Sequence, residues 1–69
     1  MRRYKIAQVA GKKMRAFRRK LKLSQEEVAA RAGMHVTTYG RIERGESNPP
    51  IQTINKIASA LSVKVNSLF

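Results

Sequence analysis

Cysteine is absent from this chain, which excludes disulfide cross-links and thiolate metal sites and gives no sign of an oxidising compartment. There is no aspartate and a single histidine, His35, with no second histidine to share a metal ion. Of the four glutamates, two sit together at a helix start, so the usual acid, base and nucleophile combinations cannot be assembled. An enzyme is not expected, and no cofactor or metal is called for. No apolar run approaches the roughly 20 residues that span a bilayer, and Met1 to Gly11 lacks the apolar centre of a signal peptide. The expectation is a cytoplasmic protein without a membrane association. At 69 residues there is room for one domain, burying roughly 60% of the surface its unfolded chain exposes.

Basic side chains are plentiful. Fifteen Lys and Arg against four acids leave a net charge of +11, which favours a polyanionic partner, nucleic acid above all. Ten of the fifteen precede Ser24 and no acid does. A basic amphipathic helix over residues 2 to 22 lying on a membrane surface is a rival use of the same charge. RNA is disfavoured, because Phe17 and Tyr39 read as internal and no exposed aromatic platform remains for unpaired bases.

The pattern along the chain is helical throughout. Ile6, Val9/Ala10, Met14, Phe17 and Leu21 recur at steps of three and four and predict a helix from about Ala7 to Lys20, its apolar stripe facing a core. Residues 1–8 read as a basic arm or the start of that helix, and residues 9–69 as the domain proper. Ser24 and Glu27 have the spacing of a capping box, so a second helix starts at Gln25 and ends near Ala32, where Gly33 can take the left-handed conformation. A third helix is predicted from Val36 to Arg44, stopped by Gly45 and the Ser47-Asn48-Pro49-Pro50 loop. A fourth starts near Ile51 with Ile54, Ile57/Ala58 and Leu61 on its apolar face, and Val65, Leu68 and Phe69 predict a last helical turn.

Helices two and three, separated by a short turn containing glycine, have the form of a helix-turn-helix. Val28, Ala29 and Ala32 with Met34, Tyr39 and Ile42 can form the shared core. Steps of 100° then leave Val36, Thr37, Gly40, Arg41 and Arg44 facing outward. An α-helix fits the major groove of B-form DNA, where arginine pairs with guanine, threonine reaches base edges and an apolar group touches the thymine methyl. Val36, Thr37 and Arg41 carry these three chemistries. The start of helix two at Gln25 and Glu26 offers free N–H groups to a phosphate.

SQEEVAARAG and GRIERGESNP at this separation, within a match running from about Val9 to Phe69, resemble the phage repressor and Cro-like helix-turn-helix family, also called the xenobiotic response element family. The resemblance implies an all-α, compact five-helix bundle and sequence-specific binding of double-stranded operator DNA by a two-fold homodimer. It implies base reading by Val36, Thr37 and Arg41, phosphate contacts from Gln25, Thr38, Arg44, Ser47, Asn48 and Arg18, and a structural ion pair between Arg18 and Glu43. The implied role is a transcriptional regulator, a repressor in the first place. The same fold serves antitoxins that also bind a toxin, and controllers of restriction-modification systems, and both readings stay open here. Leu68 and Phe69 are candidates for the dimer surface or for caps on the core.

The chain departs from the family pattern at four places. His35 replaces a serine or threonine cap on the third helix and caps it less well. Gly40 weakens that helix by roughly 1 kcal/mol. Tyr39 replaces a branched aliphatic residue, so its hydroxyl needs a partner or a route to solvent. Pro50 forfeits a side-chain cap on the fourth helix.

Overall fold

The computed structural model describes residues 5–69, so Met1 to Tyr4 of the expected basic arm lie outside the described residues. Four α-helices follow one another: α1 (Lys5–Lys20), α2 (Gln25–Ala32), α3 (Val36–Glu43) and α4 (Ile51–Ala60), closed by a 3-10 turn (Val65–Leu68). The fifth element is therefore a single 3-10 turn and not a helix, which corrects the expected count of five helices. Four residues suffice only to lay Leu68 into the core.

Local chemistry sets the boundaries. Ser24 Oγ accepts from the Glu27 N–H at 3.0 Å, and Glu27 Oε1 accepts from the Ser24 N–H at 2.8 Å, completing the capping box on α2. The backbone bond from Ser24 holds the Glu27 carboxyl below its ordinary pKa. Gly33 closes the helix at φ 70°, ψ 37°, in the left-handed region that costs other residues roughly 1–2 kcal/mol. The two helices with the weaker start signals, α3 after His35 and α4 after Pro50, have no side-chain cap. Tertiary packing holds them.

The core is the meeting place of all four helices. Met14 of α1, Val28 of α2, Tyr39 of α3, Ile57 of α4, Leu61 and Leu68 are fully buried, and Phe17, Leu23, Met34, Val63 and Val65 pack around them. Each such aliphatic group removed from water contributes roughly 1.5–3 kcal/mol. Helix α2 packs on α3 and α4, while α1 packs on α3 and on the 3-10 turn. Helix α1 presses so closely on the end of α3 that Gly11 has no room for a side chain: a Cβ there would overlap the Glu43 carbonyl oxygen.

Two expectations about burial, for the α1 stripe and for Gly40, are corrected, and for Leu68 one of the two open alternatives is decided. Of the α1 stripe, Ala10 and Met14 are buried and Phe17 is partly buried, whereas Ile6, Val9 and Leu21 are exposed. The helix touches α3 and the 3-10 turn along a face narrower than its apolar sector, so both ends and one flank of the stripe project into solvent. Leu68 belongs to the core and not to an outer surface, while Phe69 beside it is half exposed. Gly40, expected on the outer face of α3, is buried beneath the Arg44 guanidinium and the Gln25 amide.

Candidate nucleic-acid interface

Helix α3 is eight residues long and has two unlike sides. Tyr39, Gly40, Ile42 and Glu43 are buried against α1 and α2. Val36, Thr37, Thr38, Arg41 and Arg44 are exposed, as are His35 before the helix and Asn48 beyond it, with Ser47 half-buried. The exposed set is one ridge of apolar, hydroxyl and guanidinium groups, standing on a rigid base.

That base is built around one carboxylate. The Glu43 side chain is completely buried, and four side chains from three helices donate to it. Arg18 Nε reaches Oε2 at 2.8 Å and Arg18 Nη2 reaches Oε1 at 3.0 Å, a two-pronged pairing from α1. Arg15 Nε, also on α1, lies 3.3 Å from Oε1. Gln25 Nε2 at the start of α2 donates to Oε1 at 3.1 Å, and the Tyr39 hydroxyl, one turn earlier on α3, donates to Oε2 at 2.6 Å. Arg18 Nη1 adds a bond to the Leu23 carbonyl at 2.9 Å, tying the α1–α2 connection to the same point. No buried side-chain polar atom among the described residues lacks a partner.

Such a charge in the interior is tolerable only when fully paired and hydrogen-bonded. Burial alone pushes the Glu43 carboxyl up, but the bonds from Arg18, Tyr39 and Gln25 and the Arg18 charge outweigh it and hold the group at about 2. The bond to Glu43 raises Arg18, and burial together with the donated bond pushes the Tyr39 phenol well up. The cluster thus remains Arg⁺, Glu⁻ and neutral Tyr across the physiological range. Mechanically it fixes α1, α2 and α3 to one another at the back of the exposed ridge.

The sites anticipated from sequence divide accordingly. Val36, Thr37, Thr38 and Arg41 stand together on the exposed side of α3. Arg44 caps that helix, with its Nε 3.1 Å from Glu46 Oε2. Arg18 lies against Glu43, its side chain only 13% exposed, and Gln25 turns its amide inward. The tyrosine hydroxyl that needed a partner finds Glu43. Sequence reasoning missed Tyr39, Arg15 and Gln25 as members of the cluster. The i, i+4 spacing of Tyr39 and Glu43 puts them on one side of a helix and was a usable signal; the reach of Arg15 and Gln25 depends on how the helices cross. Beside the cluster, Gln8, Lys12 and Arg15 of α1 and Arg44 line a polar cleft, extending positive charge around the end of α3.

No described helix is long and apolar enough to cross a membrane, and no group of three or more potential metal-ligating side chains occurs among the described residues.

The chain is similar to several known proteins. The chain is 35% identical over 63 residues to the control protein C.SmaI of Serratia marcescens, covering 91% of this chain and 75% of that one. The crystal structure of the restriction-modification controller C.AhdI of Aeromonas hydrophila superposes with a TM-score of 0.90 at 33% identity, over 96% of this chain and all of that one. The biofilm master regulator SinR, solved in complex with DNA, superposes with a TM-score of 0.80 at 32% identity, over 86% of this chain and 95% of that one. Residues 14–68, spanning the capping box, the Glu43 cluster and the exposed ridge of α3, match the Helix-turn-helix family, and the chain belongs to that family.

Proposed function

We propose that this protein is a sequence-specific DNA-binding regulator of transcription that inserts α3 into the major groove. The single observation that carries this reading is the two-sidedness of α3: Val36, Thr37 and Arg41 are exposed on a helix whose opposite side is locked through Glu43. Arginine, threonine and an aliphatic group on one rigid ridge can discriminate guanine, base edges and the thymine methyl. The control proteins and the DNA-bound regulator among its relatives support the same reading.

Thr38, Arg44, Ser47 and Asn48 are assigned to the sugar-phosphate backbone, together with the free N–H groups at the start of α2. Gln25 and Arg18 act first as positioning residues, since both are engaged by Glu43. The protein works as a two-fold dimer on half-sites about 34 Å apart. It acts by occupancy of an operator in the cytoplasm, not as an enzyme, and as a repressor or a restriction-modification controller. The toxin-neutralising alternative has no observation behind it.

Selection from random duplexes, followed by titration at several salt concentrations, tests the proposal. A symmetric consensus should emerge, and log affinity should fall with log salt with a slope of about −4.5 to −7 for five to eight neutralised phosphates. Equal binding to all duplexes at moderate ionic strength would refute it.

A further inference from the structure

Glu46 is one of only four acids in the chain, and it adjoins Ser47 and Asn48, the loop residues assigned above to the DNA backbone. A carboxylate in that place repels phosphates, and it weakens the interface unless it has another use. Its main chain is fixed to the end of α3: the Glu46 N–H donates to the Arg41 carbonyl and the Gly45 N–H to the Ile42 carbonyl, both at 3.0 Å. Between them Gly45 turns the chain at φ 73°, where a side chain would also strike the Gln8 backbone. The Glu46 side chain is only 13% exposed. Its carboxylate therefore stands at a set point beside α3.

That carboxylate takes one edge of Arg44. Arg44 Nε lies 3.1 Å from Glu46 Oε2 and Nη2 lies 3.4 Å from Oε1, a two-pronged pairing. The Nη1 end lies over Gly40: a Cβ there would come within 3.1 Å of Nη1 and 3.5 Å of Gln25 Oε1. The guanidinium and the first residue of α2 thus meet over one glycine, whose missing side chain makes room for them. The N–H groups of the first α2 turn are assigned above to a phosphate, and a guanidinium beside them can donate to the same oxygens.

We propose that Glu46 is a positioning residue that holds the Arg44 guanidinium beside the start of α2, so that α2 and Arg44 grip one backbone phosphate and fix the register of α3 in the groove. The proposal rests on the DNA-binding reading. An arginine gives up rotamer freedom when it takes hold of a phosphate, and one held in place beforehand gives up less. Because the Arg44 side chain is 46% exposed, the ion pair adds little to folding stability, and its effect falls on binding. On the correct sequence the gain from positioning exceeds the repulsion. On other duplexes, where α3 is not seated and the phosphate is out of place, only the repulsion remains, so Glu46 also sharpens discrimination.

Glu46→Gln keeps the shape of the side chain, removes the repulsion and offers Arg44 one acceptor oxygen in place of two. Titrations of the full chain at one salt concentration should show roughly tenfold weaker binding to the selected duplex, the scale of one charge-assisted hydrogen bond. Binding to unselected duplexes should tighten, with the thermal unfolding profile unchanged. In an Arg44→Gln background there is no guanidinium to hold, and the sign should reverse: Glu46→Gln should then tighten binding to every duplex. Tighter binding to the selected duplex by Glu46→Gln alone would leave Glu46 as an acid near phosphates and overturn the proposal. So would unchanged affinity, or a loss in both backgrounds, which would place the effect of Glu46 outside Arg44. Absence of any duplex preference in the wild-type protein would instead bring down the DNA-binding reading itself, and this proposal with it.

Discussion

Replacing Glu43 by glutamine keeps the shape of the central side chain and removes its charge. The carboxyl is held at about 2 in the folded protein against an ordinary value of 4.5. At about 1.4 kcal/mol per pH unit, that gap corresponds to about 3 kcal/mol of folding stability. The folded value lies below the unfolded one, so this contribution is complete above about pH 4.5 and is lost as the pH falls toward 2. A domain of this size has roughly 3–10 kcal/mol in total. Glu43→Gln should therefore lose about 3 kcal/mol at pH 7, with Arg15 and Arg18 left facing an amide. The deficit should shrink steadily below pH 4.5, because the wild type is then losing the same charge. Urea unfolding followed by circular dichroism at pH 7, 4 and 2.5 measures both. A deficit of equal size at all three values would show that packing, and not the ion pairing, accounts for the loss, and the reasoning about the cluster would fail.

Other perturbations test the remaining links. Arg41→Ala should lose roughly 1–3 kcal/mol on the selected duplex and relax one base position, whereas Lys12→Ala should weaken all duplexes alike; competition titrations that scaled every sequence equally for both would remove Arg41 from the reading ridge. Gly11→Ala should cost about 1–3 kcal/mol, because its methyl group meets the Glu43 carbonyl at the α1–α3 crossing, while Gly33→Ala should cost about 1–2 kcal/mol through its φ of 70° despite open space around it. Thermal unfolding distinguishes a crowding cost from a conformational one if Gly11→Ser is worse than Gly11→Ala and Gly33→Asn is milder than Gly33→Ala. Ser24→Ala should lower stability by about 0.5–2 kcal/mol, read by urea midpoint.

Much of this was legible along the chain because the signals are local. Ser24 and Glu27 cap α2 through atoms three residues apart, and Gly33 ends it through its own backbone freedom, so neither depends on a distant contact. The three-and-four spacing of Ile54, Ile57 and Leu61 placed α4 for the same reason. Where two distant segments must meet, periodicity was a poorer guide. It identifies an apolar side but not how much of it a neighbour covers, which is why Ile6 and Leu21 are exposed although they continue the Met14 stripe. Gly40 looked outward on a helical wheel, yet the Arg44 side chain and the Gln25 amide fold over it.

The residue order alone determined the helices, their caps and the presence of a basic chain bearing Val36, Thr37 and Arg41 on one side of a short helix, since each follows from spacing and from forces acting within a few residues. Only the tertiary structure decided that Arg15 and Gln25 join the Arg18–Glu43 pair on one buried carboxylate and that Gly11 lies against the end of α3. A hydrogen bond between groups 18 to 28 residues apart depends on angstrom-scale placement of whole helices, and that placement is settled by the packing of the core.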